Sequence, residues 1–413
     1  RSKKETGRDK RTIVAMWPAR TLPIVAKFVF APLLVLFTLL LSNFFNQQVY
    51  AQTADLLITN VALFDGQDIR YTVDVSVSDG QIAQILEHPS GIEAKQQVDG
   101  SEQLLIPGLV NAHVHAWFPD HLKEAARSGV LSMLDMHGSI FSLELLRKLR
   151  DSTQYATYYG AGGGMTVPEG HGTQFGMPTP VVNRNTSPTE FVNERAEEGV
   201  DYIKILREPS MATLTEAQIR EGVAAAHELG LLAVAHVSRV EDASMLARSG
   251  IDGLVHIWYD RSITEERLDS LVEADIFVVP TCLTNMLFYD YAYREDLPRA
   301  YMDSTQLLRE IGRLHHAGIP ILAGTDPPNL GINYGSDLYR ELELLVMAGL
   351  TPVEAIRAAT GATSDAFGLE DAGYLGPGKY ADMILLPVAV LEDISLIREP
   401  GYIWKRGISI KTR

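Results

Sequence analysis

Short apolar runs alternate with longer amphipathic segments through most of the chain, between about residues 104 and 330. The segment from Glu216 to Leu229 has apolar residues at Ile219, Val223 and Ala226, a spacing that places them on one face of a helix. Apolar runs separated by such helices are typical of parallel βα units. We predict eight strands, over residues 104–115, 129–136, 156–161, 200–206, 231–237, 253–258, 276–282 and 320–326. Eight units favour a (β/α)8 TIM-like barrel over an open, doubly wound sheet.

The segments on both sides of this region have a different pattern. Residues 54 to 103 alternate apolar and polar positions around turn signals such as Asp65-Gly66, which predicts short antiparallel strands, and residues 381 to 410 do the same. Because the two ends of a domain often meet in space, we predict a small β-sandwich domain formed by the N- and C-terminal segments. The predicted boundaries are 54–107 and 376–413 for this β-domain and 108–375 for the barrel.

Residues 1–53 fit neither pattern. Arg20 and Lys27 precede an apolar stretch from Phe28 to Leu41, and polar residues follow it up to Ala51. This order is typical of a signal peptide, and the apolar run is shorter than the roughly 20 residues of a membrane-spanning helix. We therefore predict a periplasmic or secreted protein, with a membrane anchor over residues 28–45 as the alternative.

Export predicts a defined mature N-terminus. We expect N-terminal sequencing of protein from an exporting host to show cleavage after Ala51, because small and neutral residues occupy the positions that a signal peptidase recognises. A mature chain that begins at Met16 and remains in the membrane would instead support the anchor.

Composition narrows the classes of function. The chain is 46% hydrophobic and 21% charged, which are ordinary values for a globular protein. Its net charge of -16 repels a phosphate backbone, so we expect no nucleic-acid partner. A single cysteine, Cys282, excludes an intrachain disulfide and a cysteine-based zinc cluster. We expect a small-molecule substrate, membrane contact only through the N-terminal segment, and a homo-oligomer.

Residues that can bind metal ions follow several predicted strands. His113 and His115 end the first strand, and residues two apart point to the same face of a strand. The other such residues, at the ends of the fourth, fifth, sixth and eighth strands, are Lys204, His236, His256 and Asp326. The C-terminal strand ends of a parallel barrel meet at one face, where active sites lie. Imidazole and carboxylate ligands suit Zn²⁺, with Mn²⁺ or Fe²⁺ as further possibilities.

This constellation resembles the amidohydrolase superfamily of metal-dependent hydrolases, in particular its imidazolonepropionase-like and Xaa-Pro dipeptidase-like branch. The resemblance runs from about Ala54 to the C-terminus and includes Gly376-Pro377-Gly378-Lys379, which is similar to the usual tail of the family. It implies two divalent metal ions, with zinc as the expected metal. It also implies that a CO2-derived carbamate on Lys204 and a hydroxide bridge the two ions. The implied ligands are His113, His115 and Asp326 for the first ion and His236 and His256 for the second.

The resemblance also implies roles for residues at the substrate. Asp326 matches the general base, and His171, on a glycine-rich loop after the third strand, matches a histidine that contacts the substrate carbonyl. Arg207 and Arg239 follow the fourth and fifth strands. Since arginine binds carboxylates bidentately, both are candidates for a substrate carboxylate, and salt bridges with neighbours such as Glu208 are the alternative.

These observations leave four functions open. The leading one is hydrolysis of an amide bond in a dipeptide or an N-acyl amino acid. Hydrolysis of a lactone, a cyclic amide or an ester on the same metals is the alternative. A mononuclear deaminase is disfavoured because deaminases of this fold generally lack the lysine that Lys204 matches. A non-catalytic binder is disfavoured because no ligand or base is missing from the chain.

Overall fold

The computed structural model describes residues 53–176, 178–295 and 302–411. The predicted signal segment and its cleavage point lie outside the described residues. Within the described part of the chain, no helix combines the length and the apolar character needed to cross a membrane.

Strands from both ends of the chain form one eight-stranded sheet. They are β1 (Ala54–Phe64), β2 (Ile69–Ser78), β3 (Gln81–Glu87), β4 (Ala94–Asp99), β5 (Gln103–Pro107), β13 (Met383–Pro387), β14 (Tyr402–Lys405) and β15 (Ile408–Ser409). The order is β15-β14-β13-β5-β1-β2-β3, and β4 pairs with β1. Antiparallel pairing of β13 with β5 joins the two chain ends. The sandwich form of this domain stays a prediction.

Seven further strands form two parallel sheets, ordered β6-β7-β8 and β9-β10-β11-β12. They are β6 (Leu109–Val114), β7 (Val130–Asp135), β8 (Thr157–Gly160), β9 (Ile203–Leu206), β10 (Ala233–His236), β11 (Gly253–Val255) and β12 (Phe277–Val279). Each lies within one of the first seven predicted strand segments. The eighth segment, 320–326, contains one parallel bridge, between Ile321 and Val278.

Backbone hydrogen bonds connect the edges of the two parallel sheets. On one side, the Met165 N–H donates to the Lys204 carbonyl at 2.7 Å. On the other side, the segment 320–326 lies between β12 and β6, since the Ala112 N–H donates to the Ala323 carbonyl at 2.9 Å. The strand ends that carry the candidate ligands therefore face one another.

Helices follow most of the parallel strands, as the alternating pattern predicts. They are α1 (Pro119–Arg127), α2 (Ile140–Arg147), α3 (Pro188–Glu197), α4 (Glu216–Glu228), α5 (Val240–Arg248), α6 (Glu265–Glu273), α7 (Cys282–Arg294), α8 (Ser304–His316), α9 (Asp337–Met347), α10 (Pro352–Ala358) and α11 (Gly361–Phe367). In α4, Thr215 and Gln218 form a capping box, which satisfies free N–H groups of the first turn. Its buried face, which includes Ile219 and Val223, joins the same apolar cluster as Ile205 of β9.

The first predicted strand, 104–115, is wrong as a single element. It divides into β5, which belongs to the sheet of the chain ends, and β6, which belongs to a parallel sheet. Pro107 has no N–H for a ladder, and the Gly108 N–H donates to the Asp382 carbonyl at 2.8 Å. A Cβ atom on Gly108 would lie 2.5 Å from the side chain of Leu131, so only glycine fits between the two sheets.

Candidate metal centre

The structure places all six predicted metal ligands around one cavity of about 700 Å³. They are His113, His115, Lys204, His236, His256 and Asp326. His113, Lys204 and His236 lie on β6, β9 and β10. The other three follow an element: His115 comes directly after β6, His256 directly after β11, and Asp326 ends the segment 320–326 that follows α8. This volume lies within the range of small-molecule sites, roughly 300–1,000 Å³.

Asp326 lies close to His113 of β6 and to His115, the residue after this strand. Its Oδ1 atom is 3.4 Å from Nε2 of His113 and 2.9 Å from Nε2 of His115. Asn329 donates to Oδ2 at 2.9 Å, and the Asp326 N–H donates to the His113 carbonyl at 2.8 Å. Asn329 thus holds one carboxylate oxygen, the backbone of Asp326 is bound to that of His113, and Oδ1 faces the two imidazoles.

Strained backbone conformations occur at this centre. Asp326, His256 and Thr281 have φ angles of 59°, 88° and 44°, in the left-handed region that non-glycine residues seldom adopt. Such strain costs on the order of 1–3 kcal/mol at each residue and is concentrated at functional sites. The positions of these residues are therefore imposed by the surrounding structure against the local preference of the chain.

Three of the histidines have one ring nitrogen held by a neighbouring oxygen. Nδ1 of His256 is 2.6 Å from the Thr281 hydroxyl, and Nδ1 of His115 donates to the His137 carbonyl at 3.2 Å. Nε2 of His236 is 3.4 Å from a carboxylate oxygen of Glu208. Contacts of this kind fix the orientation of an imidazole and leave its other nitrogen available to a metal ion.

Burial shifts the pKa of several of these groups in favour of their uncharged forms. The pKa of His113 lies well below its usual value because the ring is buried and Lys204 is close. The pKa of His256 is lowered in the same way, by burial and by His236. Burial also lowers the pKa of Lys204 to about 7. Neutral imidazole is the form that binds metal ions.

The residues present fit a metal ion. Both ring nitrogens of His113 and Oδ1 of Asp326 are buried with no hydrogen-bond partner in the described part of the chain. One ligand atom each from His113, His256 and Asp326 lie within 4.8 Å of one another. Buried polar atoms are rarely left unpaired, and a divalent cation bound by nitrogen and oxygen ligands would pair Oδ1 of Asp326 and one ring nitrogen of His113.

His171 also reaches the cavity. Its ring stacks on His236, with ring centroids 4.5 Å apart and an interplanar angle of 27°. Burial and the proximity of His236 lower its pKa to about 2, so the ring is neutral. Nδ1 contacts the side-chain amide of Gln174 at 3.3 Å. The structure thus brings His171 beside the predicted ligands, where a substrate would lie.

The structure does not bring Arg207 and Arg239 to the cavity. Neither lines it. Arg207 donates to the carboxylate of Asp242 at 2.8 Å and to the Leu214 carbonyl at 2.7 Å, and Arg239 is exposed just before α5. The structure therefore does not support the prediction that Arg207 and Arg239 bind a substrate carboxylate. Arg207 instead forms a salt bridge, with Asp242 as its partner.

Two further residues line the cavity although the sequence analysis did not predict them as site residues. Glu208 is buried and accepts hydrogen bonds at Oε1 from the Ser210 N–H and hydroxyl, at 3.0 and 2.6 Å. His137 is buried, and its Nδ1 accepts from the Gly164 N–H at 2.9 Å. A signal for Glu208 was present, because residues 204, 206 and 208 follow the two-residue period of a strand and all line the cavity.

Glu208 should support the metal site through His236. We expect Glu208→Gln to weaken metal binding by about 10- to 100-fold, because a charged acceptor would no longer orient the imidazole. Equilibrium dialysis followed by metal analysis measures this affinity. Glu341→Gln is a matched control, since Glu341 is buried at 0% exposure but does not line the cavity. Wild-type metal affinity in Glu208→Gln would contradict the prediction.

Comparison with known proteins agrees with this geometry. The chain is 23% identical over 369 residues to ochratoxinase from Aspergillus niger, covering 74% of this chain and 75% of that one. It is 23% identical over 392 residues to imidazolonepropionase from Salinispora tropica, covering 84% and 93%. A crystal structure of a Xaa-Pro dipeptidase with bound methionine aligns with a TM-score of 0.74 at 19% identity, covering 86% of this chain and 99% of that one.

These structural neighbours share a fold of the TIM-barrel type. Proteins of the family whose profile matches this chain generally use divalent metal ions. The profile of the Amidohydrolase family matches residues 104–407, which is most of the chain and includes every predicted ligand. The resemblance noted in the sequence is confirmed, and the chain belongs to the Amidohydrolase family.

Proposed function

We propose that this protein hydrolyses an amide bond of a small molecule, a dipeptide or an N-acyl amino acid, with the help of two divalent metal ions. The observation that carries the proposal is the convergence of six ligand-type side chains on one cavity. The unpaired atoms of His113 and Asp326 support it, because they call for a cation in the same place. Carboxylation of Lys204 is part of the proposal.

In this proposal, each residue of the site has a separate role in catalysis. The bound ions would lower the pKa of a water molecule and polarise the scissile carbonyl. Oδ1 of Asp326 accepts the proton of the attacking water and later gives it to the leaving nitrogen, so that the amine leaves uncharged. His171, neutral and stacked on His236, contacts the substrate carbonyl. Asn329 holds the other oxygen of Asp326 during both proton transfers.

We extend the proposal to the scaffold. Residues 320–326 would serve as the eighth strand and close the barrel, an arrangement supported by the hydrogen bonds that this segment makes to Val278 and Ala112. Closure would place Asp326 directly beside β6. The short distances from Asp326 to His113 and His115 are consistent with this closure.

Metal content and a substrate screen test the function. Purified protein reconstituted with zinc should contain close to two ions per chain and hydrolyse members of a dipeptide or N-acyl amino acid library. A content close to one, with release of ammonia from an aminated ring, would favour a deaminase. If the fully metal-loaded protein hydrolyses lactones but no amides, the alternative function, hydrolysis of a lactone or an ester on the same metals, replaces the proposed one.

A further inference from the structure

Large apolar side chains are exposed at the mouth of the metal cavity. Phe175, Leu330 and Phe288 line the cavity and are 53%, 43% and 37% exposed. They come from three separate parts of the chain: the 3₁₀ turn Thr173–Phe175, the 3₁₀ turn Asn329–Gly331 and α7. Apolar side chains that converge on a concave site without being buried by the fold are typical of ligand-binding surfaces.

The residues that line the cavity differ between its inner end, at the predicted metal ligands, and its outer end, at the mouth. Lys204, Asp326 and Glu208 lie with the histidines at the inner end, and no arginine of the described residues lines the cavity. Trp117, Met211 and Tyr259 add apolar surface to the rest of the lining. The apolar outer end would favour an uncharged group of the ligand over a charged one, because a charge there would lose contact with water.

Aromatic rings connect the mouth to the metal ligands. Phe175 meets His171 edge to face, with ring centroids 6.1 Å apart and an interplanar angle of 81°. His171 in turn stacks on His236 at 4.5 Å. A ligand ring packed between Phe175 and the cavity interior would therefore lie near His171, which contacts the predicted ligand His236. This position suits an aromatic group attached close to the scissile bond.

We propose that Phe175, Leu330, Phe288 and their apolar neighbours form a subsite for an uncharged aromatic group of the substrate. The inference rests on the proposed function for the identity of the scissile bond. It does not depend on that function for the binding of the ring, so binding and hydrolysis can be tested separately.

The test compares two ligands with the same metal-binding group. Phenylmethanesulfonamide and methanesulfonamide differ by one phenyl ring and contain no bond that this chemistry cleaves. We expect calorimetry on the zinc-loaded protein to show about 10- to 100-fold tighter binding of the phenyl compound, the usual effect of burying an aromatic side group. We expect Phe175→Ala to reduce this ratio by about 2- to 10-fold.

Phe141→Ala is the matched control. Phe141 is 78% exposed on α2 and does not line the cavity, so the ratio should remain at its wild-type value. A ratio near one, or no measurable binding of the phenyl compound, overturns the subsite. An equal loss in both variants also overturns it. If the ratio is high but no amide is hydrolysed, the subsite stands and the proposed function fails.

Discussion

Replacing Asp326 by asparagine should lower kcat/KM for the best amide substrate by about 10²–10⁴-fold, the usual cost of removing a general base. The amide keeps the shape of the side chain and one oxygen near the histidines but cannot take up a proton. Because the other ligands remain, we expect the purified variant to retain its metal ions. Steady-state kinetics and metal analysis of the same preparation measure the two effects.

Asp242→Asn provides the control for Asp326→Asn. Asp242 is also buried, at 6% exposure, but it pairs with Arg207 outside the cavity. We expect this variant to retain wild-type turnover if it folds, which separates catalysis from the general cost of losing a buried carboxylate. Turnover of Asp326→Asn above a tenth of wild type would show that the base is another group.

Replacing Lys204 by alanine should remove most of the bound metal and the activity that depends on it. Lys204 is 2% exposed at the inner end of the cavity, and an ammonium group beside two cations would be strongly unfavourable. Reaction of the neutral amine with CO2 forms a carbamate and releases a proton, so that an uncharged side chain becomes an anion. Added short-chain carboxylates should restore part of the metal content and the activity.

Carbon-13 NMR under labelled CO2 detects the carbamate directly. We expect one carbamate signal in the wild type and none in Lys204→Ala. Lys405 offers an internal contrast: it is also buried, but its ammonium group donates to Asp382 at 2.6 Å, so it should not react. Full metal occupancy without a carbamate signal would refute the role of Lys204.

The location of the parallel strands along the chain, and of the candidate ligands at their ends, could be predicted from sequence because both follow from local periodicity. His113 and His115 are two residues apart at a strand end, and their rings indeed lie together, with centroids 5.4 Å apart. The predicted domain boundary lay between residues 107 and 108, but the predicted strand 104–115 ran through it because the apolar run is continuous. The packing of Gly108 against Leu131 and its hydrogen bond to Asp382 show why two strands form instead of one.

Side-chain direction beyond the strand ends could be predicted only in part, because the two-residue period of a strand indicates the face of a side chain and not its partner. Arg207 and Glu208 are neighbours in the chain, yet Arg207 pairs with Asp242 and Glu208 faces His236 inside the cavity. The choice depends on partners about 30 residues away in sequence, and periodicity carries no information about them. A substrate carboxylate was predicted as the partner of Arg207, and the structure gives this arginine the carboxylate of Asp242 instead.

The division of the first apolar run has a consequence for the timing of biosynthesis. β5 is paired with β13, and β6, which begins two residues after β5 ends, carries His113. The ribosome makes β13 more than 250 residues after β6. We therefore expect the metal site to reach its final form only when nearly the whole chain has emerged, so that a chain truncated before Met383 would be released without a functional centre.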